Sequence, residues 1–188
     1  MFGGSKRDQW GPEGVLTVNK SYQVYLEISA LIKDKKPAKL ETVAYLIPKF
    51  DEIDTARFAY SAKWADAARA DTKNGGSFTM LFISTHNIQQ SAKALWVCYV
   101  LETMEPGNNI SVRGFEVYRG AVENCWANCQ QIPRYGYKMA QGEAANWWAQ
   151  IMPLFTTADL YHEISNKAYN LDAVPEQWFP NLDKLANR

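Results

Sequence analysis

The chain has 188 residues, 47% of them hydrophobic and 13% aromatic, with 20 Lys and Arg balanced by 20 Asp and Glu. Such a composition is too apolar and aromatic for a disordered chain, and one domain of this length buries about 70% of its unfolded surface without a disulfide or metal staple. Zero net charge excludes a uniformly basic nucleic-acid coat, and no apolar run reaches the ~18 residues a membrane-spanning helix requires.

The opening Met1-Phe2-Gly3-Gly4-Ser5-Lys6-Arg7-Asp8 has no apolar core and does not read as a secretory signal. Four glycines and one proline within residues 1–14 predict a flexible arm, with Trp10 and Pro12 as its bulky interior residues. Residues 15–188 are then expected to form a single globular domain. From Tyr22 the apolar residues alternate (Tyr22, Val24, Leu26, Ile28, Ala30, Ile32), the period of a half-buried strand. Lys33-Asp34-Lys35-Lys36-Pro37 ends that strand in a basic turn. Leu40, Val43, Ala44 and Ile47 repeat at helical spacing, with Pro48 as the limit. Seven alanines between Thr55 and Ala70 predict a second helix, capped by Asp54 or Thr55.

Asn74-Gly75-Gly76 is a turn signal. Phe78–Thr85 and Ala94–Met104 are apolar on both faces, as buried strands are. Glu105-Pro106-Gly107-Asn108-Asn109 turns the chain into a further predicted strand, Ile110–Tyr118. Helical spacing returns at Ala121, Val122, Cys125, Trp126 and Cys129. Breaks at Pro133 and near Pro153 leave short helices around Ala144–Met152 and Ala158–Tyr169. The expected fold is α+β: one domain, mainly antiparallel β-sheet packed against helices, with a helical C-terminal third.

Signals of catalysis are sparse. His162-Glu163 begins like a zinc-protease helix, but Asn166 stands where its second histidine belongs. There is no Gly-x-Ser-x-Gly elbow, phosphate-binding Gly-x-x-x-x-Gly-Lys loop or dinucleotide fingerprint. Three cysteines cannot all pair, which suits a reducing compartment. Cys125 and Cys129, one helical turn apart, read as helix packing beside Trp126 rather than zinc ligands. The acidic Asp51, Glu52 and Asp54 lack the spacing of a calcium loop and are expected just before the alanine-rich helix. No catalytic residue, metal, cofactor or small-molecule substrate is expected.

Two features point to binding instead. Lys33, Lys35, Lys36 and Lys39 place four ammonium groups within seven residues, a cluster that attracts phosphate in lipid headgroups or in a nucleic-acid backbone. Tryptophans and phenylalanines outside the predicted core stripes (Trp10, Trp147, Trp148, Trp178, Phe179) are candidate anchors for self-association. Charge is also polarised along the chain. Residues 1–50 carry eight basic and five acidic side chains, and residues 139–188 carry three and six. Opposite ends suit head-to-tail assembly.

The stretch from Tyr22 to Ala70 resembles the start of the globular domain in rhabdovirus matrix proteins. The strand Tyr22–Ile32 leads into Lys36-Pro37-Ala38-Lys39 and then Leu40-Glu41-Thr42-Val43-Ala44, like the basic turn and first helix of vesiculovirus members. Phe50-Asp51-Glu52-Ile53 stands where lyssavirus members have the same four residues. The resemblance implies a virion protein beneath the envelope, made in the host cytoplasm and able to enter the nucleus. It would self-associate through its arm and tie the viral nucleoprotein–RNA complex to the inner face of a membrane, peripherally. In that reading Lys33, Lys35, Lys36 and Lys39, with Lys6 and Arg7 of the arm, meet the membrane or nucleocapsid, and Trp10 and Pro12 anchor the arm. The Pro-Pro-x-Tyr budding motif of many animal-virus members is absent, which suits a plant-infecting member. The alternative is an RNA-binding coat or nucleocapsid protein, with the same lysines on phosphates and aromatics stacked on bases.

Overall fold

The computed structural model describes residues 11–63, 77–135, 172–175 and 178. They form four helices: α1 (Gly11–Lys33), α2 (Leu40–Lys63), α3 (Ser77–Met104) and α4 (Asn109–Tyr135). Among the described residues there is no strand, so the expected sheet is overturned and this part of the fold is an all-helical bundle.

Each outer helix presents a stripe spaced by three and four residues. In α1 the stripe is Val18, Ser21, Tyr25 and Ile28, with Val24 beside it. In α2 it is Val43, Leu46, Phe50, Ile53 and Arg57. In α4 it runs Ser111, Tyr118, Val122, Cys125 and Cys129, with Gly114 in step. The predicted strand Tyr22–Ile32 therefore lies inside α1. Its alternation coexists with a helical period, and Leu26, which a strand would have buried, is 39% exposed. Ile110–Tyr118 likewise joins the predicted helix after it as one continuous α4.

The central helix is α3, 28 residues long. From Ser84 to Leu101 every residue is buried except the half-buried His86. Leu95, Trp96 and Ile88 are fully enclosed, each burial worth about 1.5–3 kcal/mol. Phe78–Thr85 and Ala94–Met104, expected as two strands, are two stretches of this one helix. A helix surrounded by neighbours is apolar all round, so its sequence loses the period that would distinguish it from a buried strand.

Helix α3 packs chiefly on α4 and α1, and α1 packs on α2. Tyr22 of α1 stacks on Trp126 of α4 with centroids 4.2 Å apart, and its hydroxyl donates to Glu123 at 3.0 Å. Burial and that carboxylate push the Tyr22 phenol up to about 12. Trp96 donates from Nε1 to the Ala173 carbonyl at 2.8 Å, tying the segment around residue 173 to the central helix.

Two boundaries also differ from expectation. Helix α1 starts at Gly11, so Pro12 occupies its first turn, where a missing N–H costs nothing. Helix α2 begins at Leu40 as predicted but continues through Pro48. That proline removes one backbone bond, yet Leu46, Phe50 and Ile53 bury one continuous stripe across it. Asp51, Glu52 and Asp54 consequently sit in mid-helix rather than before a helix N-terminus. Glu52 pairs with Lys20 of α1, and Asp54 with Arg57 at 3.0 Å. The turn at Glu105–Asn109 is present, whereas Asn74-Gly75-Gly76, Ala144–Met152 and Ala158–Tyr169 lie outside the described residues.

Candidate functional site

The lysine cluster is the connection between α1 and α2. Helix α1 closes with Lys36 N–H donating to the Leu31 carbonyl at 3.0 Å and Lys35 N–H to Ile32 at 3.1 Å. This Schellman closure needs a left-handed residue where glycine is usual, and Lys35 takes that place with φ of 51°. Lys33, Lys35, Lys36 and Lys39 are all exposed. Among the described residues none of the four forms an ion pair.

Helix electrostatics account for only part of the cluster. Lys33, Lys35 and Lys36 stand at the negative end of α1, where cations are favoured by about 0.3–1 kcal/mol each. Lys39 does not: its carbonyl accepts the first α2 bonds, from Thr42 and Val43, so it occupies the capping position at the positive end of that helix. A lysine there neither caps nor complements the dipole.

The loop is held rather than dangling. Tyr99 of α3 donates its hydroxyl to the Lys36 carbonyl, which places the α1–α2 connection at the same end of the bundle as the C-terminus of α3. Met104 ends that helix and is 65% exposed, Leu40 opens α2 at 60%, and Val112 stands in the first turn of α4 at 55%. This end of the bundle thus combines four ammonium groups, without an ion pair among the described residues, with three large exposed apolar side chains.

Other predicted site residues are distributed differently. Trp178 is in the core, 2% exposed, with its ring edge-on to Phe50 at 5.5 Å. Pro12 lies in the first turn of α1. Lys6, Arg7, Trp10, Trp147, Trp148 and Phe179 lie outside the described residues, as does His162-Glu163. Cys125 and Cys129 are buried, and burial pushes both thiols up, Cys129 to about 12. Among the described residues no three His, Cys, Asp or Glu side chains gather as a metal site.

A second polar cluster escaped the sequence reading. His86, Gln89, Gln90 and Lys93 share one face of α3 and meet α2, where Gln89 Nε2 donates to the Phe50 carbonyl at 3.1 Å. Arg57 bonds both His86 Nδ1 and Asp54. The signal was the stretch His86–Ser91, polar except for Ile88, which lies between the two predicted strands and belonged to neither.

No protein-family description, curated protein or solved structure matches this chain.

Proposed function

We propose that the protein is a non-enzymatic assembly protein that docks peripherally on an anionic membrane through the lysine-bearing end of its bundle. The observation that carries this reading is the placement at one end of the bundle of exposed Lys33, Lys35, Lys36 and Lys39 and of exposed Leu40, Met104 and Val112. Lysines near an anionic surface contribute about 1 kcal/mol each, and apolar side chains entering the headgroup region add to this. Among the described residues no helix is long and apolar enough to cross a membrane, in keeping with docking rather than spanning. A matrix role fits this chemistry: coating the inner face of an envelope and linking it to a nucleoprotein–RNA complex while copies associate side by side. The viral setting rests on the resemblance over Tyr22–Ala70 alone. The helix found at Tyr22–Ile32 removes the strand from that resemblance and leaves its short motifs.

The test is flotation of the full chain with vesicles of phosphatidylserine and phosphatidylcholine against phosphatidylcholine alone. Four lysines predict about 1,000-fold stronger binding to the anionic vesicles. Changing all four to Glu abolishes that difference while far-UV circular dichroism stays unchanged. Equal partitioning of wild type to both vesicles overturns the reading. An RNA coat is the other outcome: the chain would ignore vesicles and bind single-stranded RNA with a log–log salt slope of about −3, from four phosphate contacts.

A further inference from the structure

The outward face of α4 carries one continuous stripe. Asn109, Arg113, Glu116, Gly120, Glu123 and Ala127 follow one another at intervals of three and four residues, and all six are exposed. They lie on the side of the helix opposite the buried Tyr118, Val122 and Cys125.

Gly120 is the member that the single chain does not explain. Gly114, also in α4, lies against α3, where an added Cβ would collide with the Cys98 sulfur. A Cβ on Gly120 would meet nothing within 4 Å. Any ordinary residue fits that position and makes a better helix there, since glycine in an exposed helix interior is destabilising. Glycine suits a place where a second backbone comes close. Ala127, two turns further on, is the other small residue of the stripe.

The charges identify the partner. Laid parallel and in register on a second copy, the stripe would set Arg113 on Arg113, Glu116 on Glu116 and Glu123 on Glu123, an arrangement of like charges. Laid antiparallel, with a two-fold axis at the level of Tyr118, it complements itself. Arg113 then meets Glu123 of the second copy, Glu116 meets Gly120 and Asn109 meets Ala127, each twice by symmetry. Exposed Arg119, on the flank, comes level with Glu116 of the second copy. Glu123 also accepts from the Tyr22 hydroxyl, which uses only part of the capacity of a carboxylate.

We infer that the exposed stripe of α4 is the surface on which two copies of this chain pair, antiparallel about Tyr118. The inference rests on the assembly part of the proposed function and not on membrane docking. Helix α4 starts at the lysine-bearing end of the bundle and runs away from it, so this pairing directs the two lysine connections to opposite poles. One pole can then meet a membrane while the other faces a second phosphate-bearing surface.

A single, largely polar helix pair is at the small end of protein interfaces, so a Kd of about 100 µM is expected. Sedimentation equilibrium of the full chain between about 10 and 500 µM tests it. Arg113→Glu sets carboxylates against each other twice and should weaken the dimer about tenfold, and adding Glu123→Arg should restore it. Gly120→Gln should raise the urea midpoint of the dilute chain, because a better helix former enters open space, and yet weaken the dimer about tenfold. A merely structural glycine would not separate those two readouts, and this variant keeps the inference testable if Arg113→Glu does not fold. Wild type that stays monomeric throughout overturns the inference together with the side-by-side association of the proposed function. Association that survives Arg113→Glu and Gly120→Gln undiminished overturns the inference alone and assigns assembly to another surface.

Discussion

Two helix connections lie at one end of this bundle, and they are built on opposite priorities. Between α3 and α4, Gly107 takes the left-handed position with φ of 79°, and its N–H donates to Glu102 at 2.8 Å. Asn108 then caps α4, its Oδ1 accepting from Ser111 N–H at 2.8 Å, while Ser111 Oγ donates to the Cys98 carbonyl. Between α1 and α2, the left-handed position is Lys35 and the capping position is Lys39. Glycine and asparagine, the residues that stabilise such places, are used in one connection and withheld in the other. The lysine connection gives up stability at two positions, and at each it has instead an exposed cation that makes no ion pair among the described residues. Backbone strain kept at an exposed loop is a reason to look for function there.

The largest effect should come from disturbing the well-built connection where its helices meet. A Cβ on Gly114 would lie 2.2 Å from the Cys98 sulfur, so Gly114→Ala should cost about 1–3 kcal/mol in urea unfolding. The same change in a Cys98→Ala background should cost clearly less, because the obstructing atom is gone. Full additivity in that double-mutant cycle would show that α3 and α4 are not in the close approach described.

Removing the α4 cap by Asn108→Ala should cost about 1 kcal/mol, read as a lower urea midpoint with unchanged slope. Lys39→Asn, at the corresponding position of α2, should have the opposite sign and stabilise, because it introduces the missing cap. The smallest effect belongs to Lys35→Gly, expected to stabilise by about 0.5–1 kcal/mol as the left-handed strain is relieved. That variant should also bind anionic vesicles about fivefold less tightly, from the loss of one of four lysines. If Lys35→Gly destabilises, the contrast between the two connections fails.

How much of this was legible before the fold depends on the element. Helix α2 begins at Leu40 as predicted, but of Leu40, Val43, Ala44 and Ile47 only Val43 is fully buried, and the buried stripe runs on through Leu46, Phe50 and Ile53 instead. Its continuation through Pro48 was not legible, since local propensity forbids what packing of Phe50 and Ile53 on the far side sustains. In α1, Val24, Ile28 and Ile32, four residues apart, satisfy both a two-residue and a three-to-four-residue period, and partners on the other helices select the second. The lysine cluster was visible as charge. That Lys35 sits in a strained place, that Lys39 occupies a cap, and that Met104 and Val112 share their end of the bundle required the folded chain.

By itself, then, the sequence determined the local matters: the turn at Glu105–Asn109, the start of α2, the basic connection after Lys33 and the absence of an apolar stretch long enough to span a bilayer. Each is set by residues near one another in the chain. Only the tertiary structure decided that residues 77–104 are one helix rather than two strands. Side chains enclosed on every face carry no period, and the choice between helix and sheet passes to the neighbours that enclose them. The burial of Lys93 belongs to the same class. No local pattern marks that lysine as buried; its place beside α2 and the ring of Phe50 is set by the packing of the helices.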